Sequence, residues 1–203
     1  MPLPKFCPAR LPLAVAAALL SAYSWGAGLV AYEQGDFAAA LAEWRQLAEQ
    51  GNLQACHNIA IMYEMGQGVE ADLAQAQQWC ERAAQGGSVP AQAHLGYLLI
   101  QQQQPEQAAQ WWTKAAQAGD ADAQFSLGQL YYLGQGVAKD DEEAADWFEA
   151  AALQNHMGAQ FNLGVMYANG QRYAHAKYWW TKAAQSGDEQ AQAALKQLAD
   201  MGV

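Results

Sequence analysis

The sequence predicts an all-α chain, a right-handed α-solenoid of stacked helix-turn-helix repeats, and three observations predict it. Apolar residues recur at helical spacing in short stretches, as over 123–133 and again over 142–153 around Ala144, Trp147, Phe148 and Ala151. Setting Trp44, Trp79, Trp111, Trp147 and Trp179 in one column gives spacings of 35, 32, 36 and 32 residues. Columns of small residues run beside it. Ala76, Ala108, Ala144 and Ala176 precede the last four Trp, Ala83, Ala115, Ala151 and Ala183 follow them, and Ala60, Gly96, Gly128 and Gly164 stand in the preceding helices. A single hairpin this short cannot bury both of its faces, so copies must stack on either side.

Residues 1–26 carry Lys5 and Arg10 and then the run LPLAVAAALLSAY, with small residues for cleavage after Ser24 or Gly26. That is the layout of a secretory signal peptide, with an uncleaved anchor as the alternative, and the run is short for a membrane span. Cys7 precedes the apolar run, which argues against a lipoprotein. Residues 29–54 read as a degenerate N-terminal helical hairpin that keeps Gly35-Asp36 and Trp44 but has Leu41 where the others have Ala. Four repeats follow, at 55–90, 91–122, 123–158 and 159–190.

In the third repeat Gly134-Gln135-Gly136 stops the first helix, and Asp140 or Asp141 caps the second. Second helices end at Gly87, Gly119, Asn155 and Gly187, and the next first helices open at Ala91, Ala123, Ala159 and Ala191. The longer units contain GQGV followed by Asp, whereas the shorter ones have QQQQP at 101–105 and NGQRY at 169–173, so length varies in the turn. The small columns let the two helices of a hairpin approach, while the Trp column fills the gap to the next hairpin. Neighbours on a helix point about 100° apart, so in Trp111-Trp112 and Trp179-Trp180 one ring faces its own hairpin and the other the next. Residues 191–203 form a capping helix, because Lys196 stands where its predecessors have Gly and forbids close approach of a second helix.

The pattern A-x3-LG-x2-Y-x2-G-x-GV-x2-D-x3-A-x2-W-x3-AA-x3-G is met nearly in full by 123–155 and in part by 55–87, 91–119 and 159–187. In these columns the chain resembles the Sel-1-like repeat (SLR) family, which is related to the tetratricopeptide repeat. The resemblance implies a scaffold for protein contacts. It also raises the alternative of a β-lactam-binding or β-lactam-hydrolysing enzyme, as in the family's cysteine-rich branch. That branch bridges the end of each second helix to the start of the next first helix, and the corresponding positions here are Ala84, Ala116 and Ala152.

Other chemistry finds little footing. No Ser has a Lys three residues on, His94, His156 and His175 stand in different repeats without a motif-spaced carboxylate, and no phosphate-binding Gly motif occurs. The sequence therefore predicts no enzyme, no cofactor and no metal. The formal charge is −10, and −12 once Lys5 and Arg10 are removed, which disfavours nucleic acid and anionic membrane as partners. Stable membrane insertion is not expected after signal cleavage, and a periplasmic or secreted location is.

In an oxidising compartment Cys56 and Cys80 are expected to form a disulfide, since Cys56 lies four residues before Ala60 and Cys80 four after Ala76, at one level of the hairpin. Two buried thiols, or a metal site with His57, are the alternatives. By analogy with tetratricopeptide arrays, the first helices line a concave face that takes a protein or peptide partner of the cell envelope. His57, Ile61, Tyr97, Phe125, Gln129, Tyr132, Phe161 and Val165 are the residues expected there, the alternative for each ring being packing between repeats. The function expected is an exported scaffold or adaptor of the bacterial cell envelope.

Overall fold

The computed structural model describes residue 26 and residues 28–202. The signal-peptide reading of 1–26 therefore lies, Gly26 apart, outside the described residues. Among the described residues the regular elements are all helices. A helical segment over 28–33 (α1) is followed by Phe37–Glu49 (α2), Leu53–Met65 (α3), Leu73–Gln85 (α4), Val89–Gln101 (α5) and Pro105–Gln117 (α6). Ala121–Leu133 (α7), Asp141–Leu153 (α8), Met157–Asn169 (α9), Tyr173–Gln185 (α10) and Glu189–Asp200 (α11) complete the chain. Two compact units divide between Trp79 and Cys80, within α4. In the first, α2 packs on α3; in the second, each helix from α5 to α11 packs on the next, giving stacked helix-turn-helix units.

Local chemistry sets the helix lengths. Asp36, Asn52, Asp120 and Asp188 each accept a bond from the N–H three residues on, which satisfies a donor the helix leaves orphaned. Asp140, rather than Asp141, caps α8 by accepting from the N–H groups of Glu142 and Glu143. The expected helix ends at Gly87, Gly119, Asn155 and Gly187 all have left-handed φ, between 65° and 97°. Asn155, Gln103 and Gln171 hold that conformation without being glycine.

Within each hairpin of the second unit one ring of the second helix lies over the small position of the first. Trp112 covers Gly96, Phe148 covers Gly128 and Trp180 covers Gly164, so close that an added Cβ on Gly164 would stand 2.5 Å from Trp180 Cδ1. The indole N–H groups of Trp112 and Trp180 donate to the carbonyls of Ala93 and Phe161, three residues before each glycine. Trp179 instead joins the core cluster of Ala144, Phe148, Ala151 and Ala152 on α8. The adjacent Trp pair thus divides as expected, except that the second ring packs on the preceding hairpin rather than the following one.

That geometry corrects the register of the first hairpin. In the first unit Trp44 lies over Gly28, an added Cβ there being 2.6 Å from Trp44 Nε1. Trp44 therefore belongs with Cys80, Trp112, Phe148 and Trp180, at spacings of 36, 32, 36 and 32, and not with Trp79. The shift places Ala40, which is fully buried, in the column of Ala76 and Ala108, so the apparent mismatch at Leu41 disappears.

The expected Cys56–Cys80 disulfide is not formed. Both side chains are fully buried, and the Cys80 thiol lies 3.2 Å from the Ala91 carbonyl as its donor. The register supplies the physical reason: each Cys occupies a packing column. Cys80 stands at the ring position, in the repeat whose small position is Ala60 rather than Gly, and serves there as a small hydrophobe. Cys56 stands in the column of Gln92, Gln124 and Gln160.

These three glutamines form a repeated device. Each is buried and donates its side-chain N–H to the carbonyl eight residues earlier, that of Ala84, Ala116 or Ala152, at 3.1 Å. The bond is a second one to a last-turn carbonyl that already accepts from the backbone N–H three residues on, and it ties one hairpin to the next. Gln124 is further held by Gln154, whose side-chain N–H donates to Gln124 Oε1 at 2.8 Å and to the Gly119 carbonyl at 3.1 Å. At Gln160 the position of Gln154 is taken by Ser186, too short to reach, and Gln160 Oε1 is buried without a partner. Ser186→Gln is expected to supply both bonds and raise stability by about 1 kcal/mol, read as a higher midpoint in urea. An unchanged midpoint would show that the orphan oxygen carries no cost.

Candidate functional site

The first helices of the second unit are nearly free of charge. Met157–Asn169 has no charged residue, and Ala121–Leu133 has only Asp122, at the end near His156. Between α7, α8 and α9 lies a pocket of about 60 Å³ lined by Tyr132, Phe148, Asn162, Val165 and Met166. Its floor is the Phe148 ring, 1% exposed, held down by the close approach at Gly128. Lys139 lies over Tyr132, with Nζ 5.5 Å from the ring centroid, and pairs with Asp141 at 3.3 Å.

The first unit holds a pocket of the same construction. It has a volume of about 130 Å³ and is lined by Leu29, Tyr32, Trp44, Asn58 and Ile61. In repeat register Tyr32 corresponds to Tyr132, Trp44 to Phe148, Asn58 to Asn162 and Ile61 to Val165. Tyr32 packs against Trp44 with centroids 5.5 Å apart, and its hydroxyl donates to Gln67 Oε1 at 2.7 Å. Asn58 Oδ1 accepts from Gln54 at 2.9 Å.

The residues expected on the binding face divide accordingly. Tyr132 and Val165 meet in one pocket and Ile61 lies in the other. His57 and Gln129 are half-buried outside both, and Tyr97 is 52% exposed. Phe125 and Phe161 are taken up by packing. Phe125 stacks on the His156 ring at 4.4 Å and lies 5.8 Å from Phe148. Phe161 packs on the cluster of Ala176, Trp180 and Ala183. Phe125→Ala is therefore expected to cost about 2 kcal/mol and to lower Tm by roughly 4–8 °C. A variant that melts like the wild type would return this ring to the exposed face.

His156 shows how tightly that corner is specified. Its Nδ1 accepts from the Ala159 N–H at 3.1 Å and so caps α9, while Nε2 lies 3.3 Å from Asp122 Oδ1. Asn58, Asn162, Tyr32 and Leu29 were missing from the sequence-based set. A column through Asn58, His94, Ser126 and Asn162 was available as a signal, but its amides stand out only once the pockets are seen. Among the described residues no group of three His, Cys, Asp or Glu is placed to hold a metal ion, and no helix is long and apolar enough to cross a membrane.

Comparison with known proteins follows the repeats. The Sel1 repeat model matches residues 53–88, 89–120, 121–156 and 158–188. A protective antigen of uropathogenic Escherichia coli that displays an SLR fold is 33% identical, with a TM-score of 0.78 over 80% of this chain. The chain spans only 37% of that antigen. A Sel1 repeat protein from Oxalobacter formigenes is 30% identical, with a TM-score of 0.77, over 86% of this chain and 75% of its own. An immunity protein from Pseudomonas aeruginosa, at 24% identity and a TM-score of 0.51 over 75% of this chain and 59% of its own, shares the fold. No curated protein gives a significant match. Sel1 repeat proteins typically mediate contacts between proteins and are mostly non-enzymatic scaffolds. With four consecutive matched repeats, and with ring, glutamine and glycine columns that keep their spacing, this chain belongs to the Sel1 repeat family.

Proposed function

We propose that the chain is an exported adaptor of the bacterial cell envelope, which holds a protein or peptide partner against the face built by its first helices. The observation that carries this reading is the recurrence of one pocket design, an aromatic floor under a Tyr and an Asn, in both units. Stacking alone does not require an amide at that position, since Ser126 stands there between α5 and α7, and an amide offers a bond to a partner's polar groups. Export is supported by Lys5, Arg10 and the apolar run that follows them.

The test is affinity capture of the tagged full chain from its native envelope, with Tyr132→Ala as the comparison. The expected result is a reproducible partner whose recovery falls at least fivefold in the variant, equivalent to roughly 1 kcal/mol, with capture carried out at a temperature at which circular dichroism shows both proteins folded. Equal recovery by both proteins would remove the pocket from the binding face. A tagged chain that stays in the cytoplasm with its N-terminus unprocessed would overturn the export reading.

A further inference from the structure

We infer that the chain pairs with a second copy of itself through the outer surfaces of two second helices, α8 of each copy lying along α10 of the other. This does not depend on the adaptor reading, which concerns the first helices. α8 and α10 hold equivalent places in consecutive repeats and carry opposite charge. Asp140, Asp141, Glu142, Glu143, Asp146 and Glu149 stand on α8 and its cap, and 140–153 contains no basic residue. Arg172, His175, Lys177 and Lys182 stand on α10 and its cap, and 172–185 contains no acid, in a chain whose formal charge is −10. The preceding second helix, α6, has one acid, Glu106, and one base, Lys114. A second helix therefore stacks without a charged row of either sign.

The two rows are not used up on each other. Trp179 of α10 packs on Ala144, Phe148 and Ala151 of α8, yet among the described residues the acids of α8 make one ion pair, Asp141 with Lys139, and none with α10. Glu142, Glu143, Asp146 and Glu149 are exposed, as are Arg172, Lys177 and Tyr178. Tyr178 is fixed at the middle of α10, edge-on to Trp179 at 5.0 Å and with Lys182 Nζ 5.6 Å from its centroid. An exposed ring held in this way is suited to anchor an interface. A basic partner would match α8 alone and an acidic one α10 alone, whereas a second copy matches both. Equivalent residues of the two helices are 32 apart, so Asp140 stands level with Arg172, Asp146 with Tyr178 beside Lys177, and Glu149 with Thr181 beside Lys182. A two-fold axis running between the helices and along them brings these levels opposite each other, and every acid–base contact then occurs twice. Two helices of 13 residues side by side offer roughly 400 Å², half of the ~800 Å² that one partner gives to a stable complex. The pairing is accordingly weak, electrostatic and screened by salt.

The experiment is sedimentation velocity of the full chain over a range of concentrations in low salt, with two charge-reversed variants, Lys177→Glu/Lys182→Glu on α10 and Asp146→Lys/Glu149→Lys on α8. The wild type is expected to shift from monomer towards dimer as concentration rises, and to return to monomer in about 1 M salt, where the screening length is about 3 Å. Each variant alone should lose at least about tenfold in dimer affinity, because like charges then face each other across the two-fold axis. An equimolar mixture of the two should recover the dimer, since each supplies the complement that the other lacks. That recovery also shows that both variants are folded and that their association does not run through another part of the chain. The milder Lys177→Gln/Lys182→Gln variant, which removes charge without reversing it, should weaken the dimer while keeping the wild-type circular dichroism spectrum. A wild type that stays monomeric throughout, association that survives 1 M salt or either reversal, or a mixture of folded variants that stays monomeric would overturn the proposal.

Discussion

Gly136→Ala is expected to destabilise the chain by roughly 3 kcal/mol, made up of the cost of a left-handed residue and that of overpacking. On a chain of this size that is a fall in Tm of about 6–12 °C. Gly136 sits in the turn between α7 and α8 with φ 69°, and an added Cβ would stand 2.5 Å from the Pro105 carbonyl oxygen and 2.6 Å from Glu106 N. Those are backbone atoms at the start of α6, so no rotamer change relieves the clash. Gly119→Ala is the matched control, because Gly119 has φ 94° but nothing within 4 Å of its Cβ position. It should lose only the conformational part, about 1–2 kcal/mol. Equal losses in the two variants would show that the turn does not depend on its contact with α6.

The same contact explains the alternation of repeat length. The long GQGV turn reaches back to the N-terminus of the preceding second helix, which follows a short turn and begins at Pro105. In the first unit Gly68 repeats the arrangement against Phe37, the first residue of α2. A long turn thus rests on a short one. The GQG segment ends a helix, as its sequence indicates, but its second glycine is there for a neighbour that local sequence does not reveal.

That difference runs through the whole molecule. Helix ends, caps and hairpin boundaries were legible because each depends on a few adjacent residues: Asp140 before α8, Gly134 after α7, and Lys196 in place of a glycine in the last helix. Features that depend on what lies across an interface were not. Trp44 was set one residue out of register, because Trp is the more conspicuous residue at 79, 111, 147 and 179, while the ring that covers the glycine is the next one along. The buried glutamines were overlooked because a Gln inside a helix looks solvent-facing until its carbonyl partner is seen. For the candidate site, Ile61, Val165 and Tyr132, one and four residues after the small column, were legible from the analogy with tetratricopeptide arrays. Phe125 and Phe161 were expected in the site from their position three residues before the small column, whereas the packing around His156 and Trp180 claims them.

Trp180→Cys and Gly164→Ala are each expected to be strongly destabilising alone and much less so together. Trp180 is 7% exposed, and its indole donates to the Phe161 carbonyl at 3.1 Å. Cutting it back to Cys empties the space over Gly164 and removes the indole's bond to a carbonyl that keeps its place in the helix ladder, at a cost of about 3–4 kcal/mol. Gly164→Ala pushes a methyl group to within 2.5 Å of the indole, at about 1–3 kcal/mol. In the double variant the methyl group enters the space the indole has left. The repeats contain this combination already, since Ala60 is the small position of the repeat whose ring position is Cys80. The double-mutant cycle, read by urea unfolding, should therefore give a coupling of at least ~1 kcal/mol in the compensating direction. Strict additivity would mean that glycine and ring are independent features of the hairpin. Coupling of the expected sign would make the volume shared by the two columns, and not either residue alone, the quantity that each repeat holds constant.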